Sequence, residues 1–266
     1  MKHYGLIGFP LSHSFSKKYF AEKFKTENIT DAKYENYPLE DVKDLQDLLD
    51  LHPDMCGLNV TVPHKIKVLK YLDWIEHDAK NVGAVNCIRI FKESPLQAAF
   101  SGEVGVKGHD FRLEGFNTDL YGFEMSLRSL LHTHHDQALV LGDGGAARAV
   151  KCVLDNLGIP FTVVTRKKQE GSILFKDLKP EHIAQHKLII NTTPVGTSPN
   201  VDECPDIPYE AITDHHLLYD LIYNPEKTLF LQKGEEQGAK IKNGYEMLLL
   251  QAEKSWEIWN SRELHP

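Results

Sequence analysis

Several broad classes of protein are excluded by what this sequence lacks. No window of its 266 residues approaches the roughly 20 consecutive apolar residues of a membrane helix. Residues 1–5 run into an apolar strand pattern with no signal-peptide layout. The four cysteines, Cys56, Cys87, Cys152 and Cys204, are scattered, with no C-x-x-C pair, which argues against both a disulfide framework and a zinc site. Basic runs are missing too, and the formal net charge is -8, so there is no field to attract nucleic acid or an anionic membrane. The expectation is a cytoplasmic protein that handles a small molecule, with no metal. The only metal-like cluster, His132, His134 and His135, sits in a polar stretch that reads more simply as a solvated loop.

What is present is ordinary in composition: 41% hydrophobic and 26% charged residues. The length suits two domains, each with its own core. The stretch Asn59-Val60-Thr61-Val62-Pro63-His64-Lys65 stands out. Val60 and Val62 alternate as in a short strand with one buried face, and Pro63 ends the ladder because it has no N–H to donate. Thr61 and Lys65 are then displayed at the strand end, as an ordinary solvated pair or as groups that hydrogen-bond a polyhydroxylated substrate and pass it a proton.

Upstream, residues 4–10 read as a buried strand, followed by Ser12, Ser14 and Ser16 before a helix carrying Tyr19, Phe20 and Phe24. Serine at a strand-to-helix junction is first of all an N-cap, a role assigned here to Ser16, which leaves the others free. A strand at 34–38 and a helix over 42–51 complete a strand, helix, strand, helix, strand order that favours a parallel sheet. Downstream, a helix is expected over 66–74, and Asn86 falls in an apolar strand, as a structural amide or a ligand. Residues 91–112 are polar and glycine-rich and read as a surface hairpin or loop. Asn117, Thr118 and Asp119 form a cap-like cluster ahead of a helix through Leu131, with Asp119 either capping or catalytic.

The second half opens with the buried run Ala138 to Leu141, then Gly142-Asp143-Gly144-Gly145-Ala146, then a helix over 149–157. A G-x-G-x-x-A pattern between strand and helix is a strong dinucleotide signal, because glycines let the backbone approach a pyrophosphate and the helix N-terminus faces it. The next strand ends at Thr165-Arg166-Lys167-Lys168, where an acidic residue usually marks a cofactor lacking the 2′-phosphate. A basic turn here points to NADP, or is merely solvated. Further strands are expected at 187–191 and 217–222, ending in Thr192-Thr193-Pro194 and Tyr223-Asn224-Pro225. A glycine turn and a mostly apolar helix carrying Gln251 close the chain.

Seven motifs in order resemble the shikimate dehydrogenase family: His13 to Ser16, Asn59 to Lys65, Gly83 to Asn86, Asn117 to Asp119, Gly142 to Ala146, Asn191 to Pro194, and Asn243-Gly244 with Gln251-Ala252. The resemblance implies an α/β fold of two domains with a cleft between them. Residues 1–116, completed by 245–266, would form a substrate domain with a mostly parallel sheet, and residues 117–244 a Rossmann-like, doubly wound NADP-binding domain. It implies NADPH-dependent, reversible reduction of 3-dehydroshikimate to shikimate by a monomer or homodimer. Lys65 and Asp119 would be the acid/base pair. Ser14 and Ser16 would bind the substrate carboxylate, which replaces the capping role of Ser16. Thr61, Asn86, Gln251 and Tyr223 would bind the rest of the substrate. Gly142, Gly144, Gly145 and Ala146 would hold the pyrophosphate, and Thr165, Arg166 and Lys167 the 2′-phosphate region. Leu221 and Gly244 would flank the nicotinamide. Asp143 and Lys167 depart from the family pattern, and residues 91–112 look like a long insertion. Two alternatives remain: a quinate/shikimate dehydrogenase with relaxed NAD(P) use, and a non-catalytic nucleotide-binding sensor of the same fold.

Overall fold

Side chains leave the first strand, β1 (Lys2–Gly8), in two directions, and each layer seeds a core. Tyr4 and Leu6 join one buried cluster and Ile7 the other. The computed structural model describes residues 1–11, 15–92, 111–167 and 169–261. Ser14, Lys168 and residues 93–110 lie outside them.

The chain divides into two units, Met1–Thr118 with Ala252–Pro266, and Asp119–Gln251. In the first, β1 is followed by α1 (Phe15–Thr26), β2 (Ala32–Pro38), α2 (Leu45–Leu51), β3 (Met55–Val60), β4 (Trp74–Ile75), α3 (His77–Val82), β5 (Cys87–Lys92) and β6 (Phe111–Phe116). The described strands form one sheet in the order β2-β1-β3-β5-β6-β4. β1 is parallel to β2 and β3, and β4 to β6, while β5 runs antiparallel to β3 and β6. The hairpin or loop expected over 91–112 falls for the most part outside the described residues.

On the Tyr4 side, the core is aromatic. Trp259 stacks on Tyr4 at 5.0 Å and donates its indole N–H to the Ile88 carbonyl (3.0 Å). The indole lies so close to Gly57 that a Cβ there would come within 2.3 Å of it, so β3 needs glycine at this point.

The second unit contains most of α4 (Thr118–Arg128), then β7 (Ala138–Leu141), α5 (Gly145–Asn156), β8 (Phe161–Thr165), β9 (Ser172–Leu174), α6 (Pro180–Gln185), β10 (Leu188–Asn191), β11 (Leu217–Asp220), α7 (Leu229–Glu236), β12 (Lys240–Lys242) and the start of α8 (Tyr245–Asn260). Its strands are all parallel, in the order β12-β11-β10-β7-β8-β9. Counted from β7 as the first, the order is 3-2-1-4-5-6, the doubly wound arrangement, with its switch point between β7 and β10. Every residue of β7, β10 and β11 is buried, as continuous apolar strands covered on both faces require.

Several local expectations are corrected. β3 stops at Val60, and Val62 is 69% exposed. The inward place is taken by His64, wholly buried, whose Nε2–H donates to the Leu39 carbonyl (2.6 Å). The helix expected over 66–74 is only a 3₁₀ turn, Lys67–Tyr71. Asp73 draws the chain to the sheet, its N–H donating to the Leu113 carbonyl (2.9 Å) and its carboxylate accepting from the Leu113 N–H (2.8 Å). Asn86 lies just ahead of β5 rather than inside it. Helix α5 starts at Gly145, four residues before its expected start.

Candidate active site

Doubly wound sheets bind ligands outside the carboxyl ends of their strands at the switch point. Here that point holds a cavity of about 590 Å³, lined by the Gly142–Gly144 turn, the Thr165–Lys167 turn and Thr192–Val195. Gly142 has φ +101°, and a Cβ there would meet the Thr192 hydroxyl and the Thr193 methyl at 2.9 Å, so only glycine suits the turn. Gly144 and Gly145 differ: a Cβ at either would meet nothing within 4 Å. No neighbour among the described residues demands glycine there, whereas a phosphate approaching the first N–H groups of α5 would. These residues therefore fit a dinucleotide pyrophosphate.

The Arg166 and Lys167 side chains are exposed beside the cavity. Thr165 is buried and its hydroxyl donates to the Lys167 carbonyl (2.7 Å). That bond holds the basic turn against the cavity wall, of which Thr165 is itself a part. Leu221 and Gly244 are brought together: the Gly244 N–H donates to the Ile222 carbonyl (3.0 Å), and a Cβ on Gly244 would fall 2.1 Å from the Leu221 carbonyl oxygen. Ala146 is exposed in the first turn of α5, and Tyr223 is 42% exposed beyond β11.

In the first unit, backbone bonds gather Thr61, Lys65 and Asn86. The Thr61 N–H donates to Ile7 (2.9 Å), the Val60 N–H to Asn86 (2.8 Å) and the Val85 N–H to Lys65 (2.8 Å). The buried Asn86 side chain uses its oxygen to accept from the N–H and hydroxyl of Thr118 (2.7 and 3.2 Å). Ser16 lies inside the first turn of α1 rather than at its cap, and its hydroxyl bonds the Tyr34 phenol. From there a hydrogen-bonded chain runs through Tyr34, Asn59, Ser255 and Thr118 to Asn86. Sequence reasoning missed Tyr34, Thr118 and Ser255 in this role. Their signal was polarity within apolar segments, but their partners are remote in sequence.

Asp119 and Gln251 belong to the second unit. Asp119 is half-buried in the first turn of α4 rather than its N-cap, at a place where the helix dipole favours an acidic side chain. Gln251 is half-buried on α8.

A profile of the shikimate dehydrogenase substrate binding domain matches residues 6–88. Over its whole length, the chain is similar to a shikimate dehydrogenase (NADP(+)) of Clostridium beijerinckii, 37% identical across 99% of this chain and 94% of the relative. The chain belongs to the shikimate dehydrogenase family. Two solved members of similar shape are those of Thermus thermophilus in complex with NADP(H) and shikimate (TM-score 0.78, 28% identity, 98% and 94% of the two chains) and of Listeria monocytogenes in complex with shikimate and NAD (TM-score 0.80, 27% identity, 99% and 93%).

Among the described residues, no group of three or more His, Cys, Asp or Glu side chains could hold a metal ion. In this family member, His135 is not solvated. It is buried and accepts from the His132 N–H (3.0 Å), and burial, with His134 and His132 nearby, lowers its pKa to about 4.

A second missed feature supports the cofactor cavity. Asp220, at the end of β11, is wholly buried and accepts from Asn191 Nδ2 (3.0 Å), the Ile222 N–H (3.0 Å) and the Thr228 hydroxyl (2.6 Å). Asn191 in turn accepts from the N–H and hydroxyl of Thr193 (3.0 and 2.7 Å), a residue of the cavity wall. Burial pushes the Asp220 carboxyl from 3.8 up to about 6, against the pull of the three donors. A carboxyl raised in the folded state binds its proton there before the unfolded chain does. The folded state therefore gains stability from this group as pH falls through about 6 toward 4. Replacing it with asparagine abolishes that gain. The stability of the parent minus that of Asp220→Asn is expected to rise by about 1 kcal/mol from pH 7 to pH 5. Urea unfolding at both pH values measures it, and a difference independent of pH would contradict the assignment.

Proposed function

We propose that this chain catalyses the reversible reduction of 3-dehydroshikimate to shikimate with NADPH as hydride donor. The chain-long likeness to relatives named shikimate dehydrogenase (NADP(+)) carries this reading. Residues 1–116 with 245–266 act as the substrate domain and residues 117–244 as the NADP domain. Ser14, Ser16, Thr61, Asn86, Tyr223 and Gln251 hold the substrate. Gly142, Gly144, Gly145 and Ala146 cradle the pyrophosphate, Thr165, Arg166 and Lys167 hold the 2′-phosphate region, and Leu221 and Gly244 flank the nicotinamide.

When bound, the cofactor supplies a hydride to the substrate carbonyl carbon. The carbonyl π pair moves to oxygen, and Lys65 neutralises that developing charge by giving it a proton. Asp119 orients the ammonium, and the two groups share the proton bookkeeping as one acid/base unit. In the oxidising direction the same pair takes the hydroxyl proton. The protein works in the cytoplasm as a monomer or homodimer.

A spectrophotometric assay at the NADPH band tests this reading. Shikimate with NADP is expected to turn over at least tenfold faster than quinate with NADP or shikimate with NAD, a difference of about 1.4 kcal/mol in barrier. The Listeria relative, solved with shikimate and NAD, favours one second reading, relaxed cofactor use, and comparable rates with NAD would establish it. No turnover with either substrate would leave a nucleotide-binding sensor.

A further inference from the structure

An acidic residue inside a phosphate-binding turn is an electrostatic fault, because a carboxylate beside two phosphate groups repels them. Asp143 occupies such a place, between Gly142 and Gly144 on the cavity wall. Its carboxylate is paired with Lys151, one of the helical residues of α5, with Nζ 2.5 Å from Oδ1. Their side chains are partly exposed, 28% for Lys151 and 23% for Asp143, so solvent and salt reach the pair. The remaining groups facing Asp143 are Gln169, which hydrogen-bonds it, and Arg148, whose charge is of the same sign as Lys151. All three hold its carboxyl below the usual range, Lys151 most strongly, so the carboxylate stays charged and its partner stays engaged.

We propose that Lys151 is a cofactor-site residue whose task is to cancel the Asp143 carboxylate, so that the glycine turn can accept the NADP pyrophosphate. This rests on reading the turn as the NADP site. It assigns a binding role to a helix side chain beyond the glycine motif. It also makes the effect of Lys151 conditional on Asp143, because without the acid the cation has nothing to offset.

Calorimetric titration of the full chain with NADP, without substrate, tests the proposal. Lys151→Met keeps the apolar stem and removes the charge, and is expected to weaken NADP binding by about tenfold at low salt. The loss should shrink as salt screens the exposed carboxylate. In the double variant Asp143→Asn with Lys151→Met, affinity should return to within about threefold of the parent. Thermal unfolding of each protein provides a control for folding, and should Lys151→Met unfold, the double variant and Lys151→Ala carry the comparison.

Unchanged affinity in Lys151→Met would overturn the proposal. So would a double variant as weak as the single, because Lys151 would then act independently of Asp143. A parent that binds no NADP would instead overturn the reading of the turn itself, and the two failures are therefore distinct.

Discussion

Turnover falls by about 10²- to 10⁴-fold in Lys65→Ala, the range that positioned acid/base groups contribute, while the dissociation constant for shikimate changes by less than about threefold. The asymmetry follows from when the charge appears. The substrate oxygen is neutral in the bound ground state and becomes anionic only as hydride arrives, so a proton donor acts mainly on the transition state. The fold supports reading the variant this way. The loop is fixed by the Val85 N–H on the Lys65 carbonyl and by the buried His64 beside it, and neither involves the Lys65 side chain. Truncation therefore removes the ammonium and leaves the loop in place. Lys65→Arg sharpens the test, since guanidinium keeps the charge but gives up its proton very reluctantly. Steady-state kinetics with both variants, alongside shikimate titration, separate the two contributions. Near-parent turnover in Lys65→Ala would end the assignment of the proton to Lys65.

Arg166→Ala is expected to weaken NADPH binding by about 10- to 100-fold, the worth of one to two charge-assisted bonds to a phosphate, and to change NADH binding by less than about threefold. NADH has every feature of NADPH except the group that Arg166 is assigned to hold. Lys167, exposed beside it, keeps some of the grip, which sets the lower end of the range. The Thr165 hydroxyl on the Lys167 carbonyl fixes the turn without using the Arg166 side chain, so the variant retains the backbone geometry. Fluorescence titration with the two cofactors measures the ratio. Equal losses with both would show that Arg166 serves the fold of the turn rather than the 2′-phosphate.

The strands at the switch point were legible in the sequence because strands buried on both faces read as apolar runs: Ala138 to Leu141, Leu188 to Ile190, Leu217 to Tyr219. The glycine turn was legible because its chemistry is local. Three of the four edge strands were not. β4 has two residues, β9 and β12 three each, and their own sequences do not specify them, since parallel pairing with a longer neighbour does. α7 carries a glycine inside it, Gly234, whose lack of a side chain admits Leu218, and it starts from a Thr228 cap whose hydroxyl also serves Asp220. The polar supports were hidden for a similar reason. Asp220 looks like the polar end of a strand until Asn191, 29 residues earlier, and Thr228 meet it. Val62 misled because alternation continues past the point where His64 takes the buried place.

The first unit is discontinuous in the chain, and this has a consequence for synthesis. The second unit is complete once Gln251 has been made, and every strand of its sheet is then available. The first unit, begun earlier, lacks Trp256 and Trp259 until the last helix emerges, although Tyr4, Phe20 and Phe24 pack against those rings. On a ribosome that works from the N-terminus, Tyr4, Phe20 and Phe24 must therefore wait for Trp256 and Trp259, with the narrow slot over Gly57 open until Trp259 arrives. A nascent chain stopped after residue 251 should carry a finished second unit and an unfinished first one, and protease should cut residues 1–118 first.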